Sequence, residues 1–336
     1  MNHNKTLRLV AWEITRNCNL SCIHCRASAT NGPYDGELST ESCYILLDQI
    51  AKIGNPIIIL TGGEPLLRPD IFDIAGYGIK KGLKVVMAPN GTLITERVAQ
   101  KMKETGISRI SISIDGATSE KHDEFRGVKG AFEGAISGIK QAKKAGLEFQ
   151  INTTITKLNL DELPKIQELA TGLGAAAHHI FLLVPTGRGK YISSSEITAV
   201  EYEEILNWFY DKHKNVTMQL KATCAPQYYR LLKQKEESNA KGCLAGTSFC
   251  FISHRGIVQP CGFLDLPCGD VTKRSFDEIW EKSDIFASLR DFSKLKGKCG
   301  KCKFKMVCGG CRARAYEKTG DFLEEEPLCV YKRNIL

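Results

Sequence analysis

No stretch of about 18 uninterrupted apolar residues occurs in the chain, so no membrane-spanning helix is expected. The start, MNHNKTLRLV, has no hydrophobic signal core, and the chain is expected to stay in the cytoplasm. Also missing is a basic stripe with interleaved aromatics. The formal charge is +8, yet Lys and Arg are scattered. A nucleic-acid partner is therefore not expected; an acidic small substrate or an acidic electron carrier fits the charge equally well, and the charge alone does not decide between them. Cysteine, by contrast, is abundant: the chain has 14. In a protein that is not exported, that number points to metal ligation rather than disulfides.

Three of these cysteines form a short loop, Cys18-x3-Cys22-x2-Cys25, directly after a strand-like run from Leu7 to Thr15. Three thiolates grip one soft metal centre and leave one position open, whereas a closed structural site supplies four protein ligands. Zinc is the competing reading. Zinc loops usually pair one C-x2-C with a second, and none follows within the next hundred or so residues. An iron–sulfur cluster with one open iron fits the spacing better. Cys43 lies in a helical pattern and reads as a buried apolar residue.

Beyond the loop, strand-like and helical stretches alternate. A helix is predicted from Ser39, its N-cap, to Ile53. The apolar run Pro56–Leu60 predicts a strand covered on both faces. Further strands are predicted at Lys84–Ala88, Arg109–Ile114, Glu148–Ile155 and His178–Val184, then a helix Thr198–Lys212 and a short strand Val216–Leu220. Six strands alternating with helices describe a parallel α/β sheet, either doubly wound or closing toward a barrel. Functional residues in such sheets gather at the carboxyl ends of the strands. There the sequence places the three cysteines, Gly62-Gly63-Glu64-Pro65, Asn90-Gly91, Ser113 and Asp115, Asn152, and Pro185 to Gly189.

Composition changes at the polar run Lys233–Lys241, and a boundary near 238 divides the chain into 1–237 and 238–336. The second part holds Cys243, Cys250, Cys261, Cys268, Cys299, Cys302, Cys308, Cys311 and Cys329. So many cysteines on a short segment exceed what a small core uses as hydrophobes. Auxiliary iron–sulfur clusters are the favoured reading, with structural zinc as the competitor.

Together these residues resemble the radical S-adenosylmethionine (SAM) enzymes that carry a SPASM-type C-terminal extension, over essentially the whole chain. The resemblance rests on Cys18/Cys22/Cys25, on Gly62-Gly63-Glu64-Pro65, and on Cys243 followed by Gly256-x4-Cys261 and the run Cys299, Cys302, Cys308, Cys311. His24 stands where the family usually has an aromatic, and Cys308 and Cys311 are one residue closer than the family spacing. The resemblance implies a partial (β/α)6 TIM-like barrel and a small cluster-binding domain. It also implies a [4Fe–4S] cluster with SAM on Cys18, Cys22 and Cys25, whose reduction yields a 5′-deoxyadenosyl radical. SAM would be contacted by Gly62, Gly63, Glu64, Pro65, Asn90, Ser113, Asp115, Asn152 and Val184. One or two auxiliary [4Fe–4S] clusters would use Cys243, Cys250, Cys261, Cys299, Cys302, Cys308, Cys311 and Cys329.

Three segments, LRLVAWEITRNCNL, the Ala88–Thr92 turn and Lys221–Arg230, are similar to those of members that rework tetrapyrroles on the siroheme-derived route to heme. That resemblance implies an iron porphyrin substrate and oxidative decarboxylation of two propionates of Fe-coproporphyrin III to vinyl groups. It also implies an electron donor or acceptor protein as partner. Removal of acetate groups from 12,18-didecarboxysiroheme, and maturation of a ribosomal peptide, are the alternatives. His178, His179, Arg188, Tyr228, Tyr229 and Arg230 are the candidate substrate contacts, and Lys190 and Lys221 are further cations for its carboxylates.

Overall fold

The computed structural model describes residues 6–214, 216–235 and 240–331. Its centre is one sheet of ten strands. In chain order these are β1 Leu9–Thr15, β2 Ile57–Gly62, β3 Lys84–Met87, β4 Ile110–Ser113, β5 Phe149–Ile155, β6 Ala177–Leu182, β7 Gln219–Thr223, β8 Phe249–Ile252, β9 Ile257–Gln259 and β10 Gly269–Asp270. Strands β1 to β7 lie side by side in sequence order and are all parallel. Helices connect them, as parallel neighbours require.

The two faces of the sheet differ, and the alternation of side chains explains how. Val10, Trp12, Ile58, Leu60, Val85, Met87, Ile110, Ile112, Ile151 and Ile180 point one way, are almost wholly buried, and pack against the connecting helices. The opposite face carries Ile57, Ile59, Thr61, Ser113, Asn152, Thr154, His179, Phe181 and Lys221, all half-buried. Strand β2 is therefore not covered on both faces as its apolar run suggested. Its second face borders the open, concave side of the sheet.

The helix Thr40–Ile53 follows its expected cap, with Ser39 Oγ accepting the Ser42 amide at 3.2 Å. Thr198 is the cap of the helix Ala199–His213 rather than its first residue, closing a capping box with Glu201. The seventh strand begins three residues later than expected. Val216 and Met218 mark the apolar run, but pairing with β6 begins at Ala177↔Gln219 and runs to Phe181↔Thr223. Residues 236–239, where the sequence suggested a boundary, lie outside the described residues. Strand β8 pairs in parallel with β1, from Leu9↔Phe249 to Trp12↔Ile252. The C-terminal segment thus extends the same sheet.

Two glycines join β1 to β2 at the carboxyl rim. A Cβ on Gly62, at φ 148°, would lie 2.1 Å from the Thr15 carbonyl oxygen, and one on Gly63 would lie 2.2 Å from that of Asn17. The close approach lets the Gly63 and Glu64 amides donate to those carbonyls at 2.8 and 2.7 Å. The segment leading into Cys18 is thereby pinned to the end of β2. Gly63→Ala is expected to push the strands apart, costing about 1–3 kcal/mol as overpacking does. Chemical denaturation of the variant should show that loss; unchanged stability would contradict the close approach.

Candidate active site

The loop from Cys18 to Cys25 leaves β1 and packs its thiols with Leu20, Ala27, Ala29 and Ala131. Cys18 and Cys22 are buried, Cys25 is half-buried, and none forms a disulfide. Backbone amides point at the sulfurs: Leu20 N–H at Cys18 and Ala29 N–H at Cys25, both 3.4 Å away. The Arg126 guanidinium meets Cys22 Sγ at 3.5 Å. Burial pushes the Cys18 thiol up to about 11, so a bound metal would be needed to hold it as thiolate at neutral pH. His24, at the family's aromatic position, packs its ring on Phe125 with centroids 4.6 Å apart. Glu13, which the sequence did not suggest, anchors the loop from below. Its buried carboxylate pairs with Arg26 at 2.5 Å and His254 at 2.7 Å. Burial raises the Glu13 pKa, but these partners together with Arg16 hold it down at about 2.

Around this loop lie the strand ends. Glu64 is fully buried and accepts from the Leu66 and Asn90 amides at 3.0 and 2.6 Å. Burial raises its carboxyl to about 7 against those two bonds. Pro65, also buried, opens a short 3-10 turn that Glu64 caps. The Asn90 side chain donates to Asn19 at 2.7 Å and accepts from the Thr92 amide at 2.9 Å, bracing the cysteine loop against the β3 end. Val184 is buried just past β6, its carbonyl accepting the Thr186 amide at 2.7 Å. Ser113, Asn152, His179 and Lys221 pair across β4 to β7 in one register row, all half-buried on the concave face. His179 Nδ1 lies 3.0 Å from the Gln150 amide nitrogen. Burial, with Lys221 adding, lowers His179 to about 3, so it is neutral. Burial likewise lowers Lys221.

Several expected site residues are used elsewhere. Asp115 is wholly buried, accepting from Thr154 N–H at 2.7 Å and pairing with Arg126. It serves as an internal counter-ion to Arg126. His178 faces the core: its two ring nitrogens lie 2.7 Å from Gln167 Oε1 and 2.9 Å from Thr153 Oγ1. Arg188 grips the cysteine loop, donating to the carbonyls of Cys22 at 2.8 Å and Ala29 at 2.6 Å. Tyr228 packs edge-on against Phe209 in the core, and Tyr229 is half-buried beside it. Arg230 is buried and bonded to both Glu203 carboxylate oxygens at 2.5 Å. Lys190 pairs with Glu317 at 3.3 Å. Side-chain direction on a strand or helix depends on register, which these sequence patterns did not reveal.

The tail thiols fall into two groups. Cys261 and Cys311 share an apolar cluster with Val184, Leu264 and Ala313. Burial raises Cys261, and the thiols of Cys243 and Cys311 add to it. Burial also raises Cys311 to about 11, against the pull of buried Arg314. The second group holds Cys299, Cys302, Cys308 and Cys329. Amides of Glu326, Phe304 and Gly310 reach Cys299, Cys302 and Cys308 at 3.3, 3.4 and 3.4 Å, and Arg312 approaches Cys299 Sγ at 3.8 Å. After burial and the Gly310 amide, Cys329 and Cys299 are the next influences on Cys308. Such N–H···S bonds tune iron–sulfur clusters. Among the described residues no three Cys, His, Asp or Glu side chains close on a point fit for one ion. A zinc site, with Zn–S near 2.3 Å, would need its sulfurs within about 3.8 Å of each other, and a four-iron cluster spreads its thiolates more widely. Cys250, expected among the ligands, is instead wholly buried in the main core, as is Cys268 nearby. Cys43 is in that core too, as expected.

Burial lowers His178 from 6.5 to about 4. Between those values the unfolded chain binds the extra proton, so stability is full above 6.5 and falls as pH drops. One such histidine gives a slope of up to about 1.4 kcal/mol per pH unit. Urea denaturation between about pH 5 and 7 should show that slope and its partial loss in His178→Gln. An identical slope in the variant would contradict a neutral, doubly bonded His178.

Residues 12–170 match the Radical SAM superfamily, and residues 243–303 match the SPASM iron–sulfur cluster-binding domain. An AdoMet-dependent heme synthase of Nitratidesulfovibrio vulgaris is 54% identical, over 97% of this chain and 93% of that one. The Fe-coproporphyrin III synthase of Methanosarcina barkeri is 31% identical, over 96% of this chain and 87% of its own. Streptococcus suis SuiB bound to S-adenosylmethionine has the same fold, with a TM-score of 0.80 at 16% identity, covering 98% of this chain and 79% of that one. With an open three-cysteine loop at the rim of a parallel α/β sheet and a cysteine-rich tail packed on that rim, the chain belongs to the radical SAM enzymes that carry a SPASM iron–sulfur region.

Proposed function

We propose that the enzyme oxidatively decarboxylates two propionates of Fe-coproporphyrin III to vinyl groups, giving heme b. The observation that carries this reading is the near full-length likeness to a relative named AdoMet-dependent heme synthase. Cys18, Cys22 and Cys25 would hold a [4Fe–4S] cluster whose open iron would bind SAM, and that pair would supply the chemistry of hydrogen-atom abstraction. The chain's residues hold and orient the reactants. Gly62, Gly63, Glu64, Pro65, Asn90, Ser113, Asn152 and the backbone at Val184 surround SAM. The concave row then offers His179 and Lys221 to the substrate. Lys221 carries a cation beside a neutral imidazole, which suits a propionate carboxylate; the partial desolvation that lowers its pKa is offset when the carboxylate arrives.

Loss of hydrogen from the propionate β-carbon and of carbon dioxide leaves one electron per vinyl group to be carried off. We assign that export to the auxiliary sites, one on Cys243, Cys261 and Cys311 and the other on Cys299, Cys302, Cys308 and Cys329. A protein partner would deliver the reducing electron and accept the exported one. The barrel up to about residue 237 would make the radical, and the segment from about 238 onward would hold the exit clusters. No helix among the described residues is long and apolar enough to cross a membrane.

Acetate removal from 12,18-didecarboxysiroheme is the second reading, and the 31% identity to a relative named Fe-coproporphyrin III synthase makes it the weaker one. Anaerobic incubation with SAM, reductant and either tetrapyrrole, followed by mass spectrometry, separates the two. Loss of two carboxyl groups from Fe-coproporphyrin III, with vinyl groups formed, is expected. Turnover of didecarboxysiroheme alone would establish the second reading, and cleavage of SAM with neither porphyrin changed would refute both.

A further inference from the structure

The auxiliary group formed by Cys243, Cys261 and Cys311 has only three thiols, because Cys250 is in the core. We infer that Cys224, at the carboxyl end of β7, is its fourth thiolate ligand. Cys224 lies outside the SPASM match at 243–303 and takes no part in the barrel's radical-generating loop. Its side chain packs against the same buried cluster of Val184, Leu264, Cys311 and Ala313 on which Cys261 also packs. The chain just after it, at Pro226, lies against the chain just before Cys243. A Cβ on Gly242 would fall 2.7 Å from Pro226 Cβ and 2.8 Å from the Cys308 carbonyl oxygen.

The backbone conformation serves this placement. Cys224 has φ 54°, a left-handed value shared among non-glycine residues only with Ser28 in the described chain. Such a conformation persists where surroundings impose it, and often at functional sites. Here the Cys224 carbonyl accepts from Arg314 Nη2 at 3.1 Å and Tyr202 Oη at 3.3 Å. The turn ends the β-alternation that would otherwise continue from Thr223. Electrostatics agree with the geometry: after burial, the thiols of Cys311 and Cys261 are the largest influences raising that of Cys224.

Cys250 meets a different environment. It sits in the middle of β8, opposite Val10 of β1, and beside Cys268 and Arg290 rather than the other tail thiols. A ligand drawn from β7 has a consequence that one drawn from the tail would not. It ties the auxiliary cluster to the barrel rim, in the same apolar group as Val184, whose backbone is proposed to contact SAM. This assignment depends on the presence of the auxiliary cluster and not on which molecule the radical attacks.

Iron and sulfide counts with EPR and Mössbauer spectra of the anaerobically reconstituted full-length chain test it. Cys224→Ala is expected to lose or perturb one auxiliary cluster, up to about four irons per chain. The SAM-induced change in the spectrum of the first cluster should persist and report a folded barrel. Cys250→Ala should keep the full iron complement and unaltered spectra. Full iron with unchanged auxiliary spectra in Cys224→Ala would overturn the assignment, as would loss of an auxiliary signal in Cys250→Ala. Loss of an auxiliary signal in Cys250→Ala overturns the assignment even if the Cys224 variant does not fold.

Discussion

A thiolate buried away from water is costly unless positive charge or N–H donors meet it, and this chain buries thiols at three places around one rim. Each has an arginine that is itself buried. Arg126, 7% exposed, touches Cys22; Arg312, 4% exposed, approaches Cys299; Arg314, 2% exposed, lowers the pKa that burial raises at Cys311. The clusters add iron charge but remain anionic overall with three or four thiolates, so the guanidinium groups still oppose the net charge. Breaking such buried pairs typically costs about 3–5 kcal/mol. The protein therefore keeps each arginine bonded on several sides.

Those bonds connect the sites. Arg126 pairs with Asp115 at the end of β4 while touching Cys22. Arg314 donates to the carbonyls of Leu182, Leu183 and Cys224, and pairs with Glu326. Glu326 in turn accepts the Cys311 amide at 2.6 Å. The ends of β6 and β7 are thus bound to the cysteine-rich tail through one cation. On the other side, Glu13 joins β1 to Arg26 in the first loop and to His254 beyond β8. These links give the radical-generating loop and the tail a common frame.

How much of this could be read from the residues follows from what each kind of signal encodes. The first loop and the glycine pair were visible because their spacing is local. The six barrel strands were visible because apolar runs are local too. Register was not, and it decided which of His178 and His179 faces the cleft. It also started β7 at Gln219 rather than Val216. The compensating arginines left no sequence signal, since Arg126, Arg312 and Arg314 look like ordinary surface charges on helices. Cys250 was expected among the ligands yet lies in the main core beside Cys268, and whether Cys224 binds metal was left open by the sequence: membership of a cluster depends on which thiols meet in space.

The central claim is that the radical made at Cys18, Cys22 and Cys25 attacks a propionate side chain, with the electron leaving through the tail. It is tested most directly with Fe-coproporphyrin III deuterated at the propionate β-carbons. After anaerobic turnover with SAM, the 5′-deoxyadenosine is analysed by mass spectrometry. One deuterium in the 5′-deoxyadenosine for each vinyl group formed is the predicted result. Unlabelled 5′-deoxyadenosine alongside porphyrin that keeps all its deuterium and all its carboxylates would contradict it.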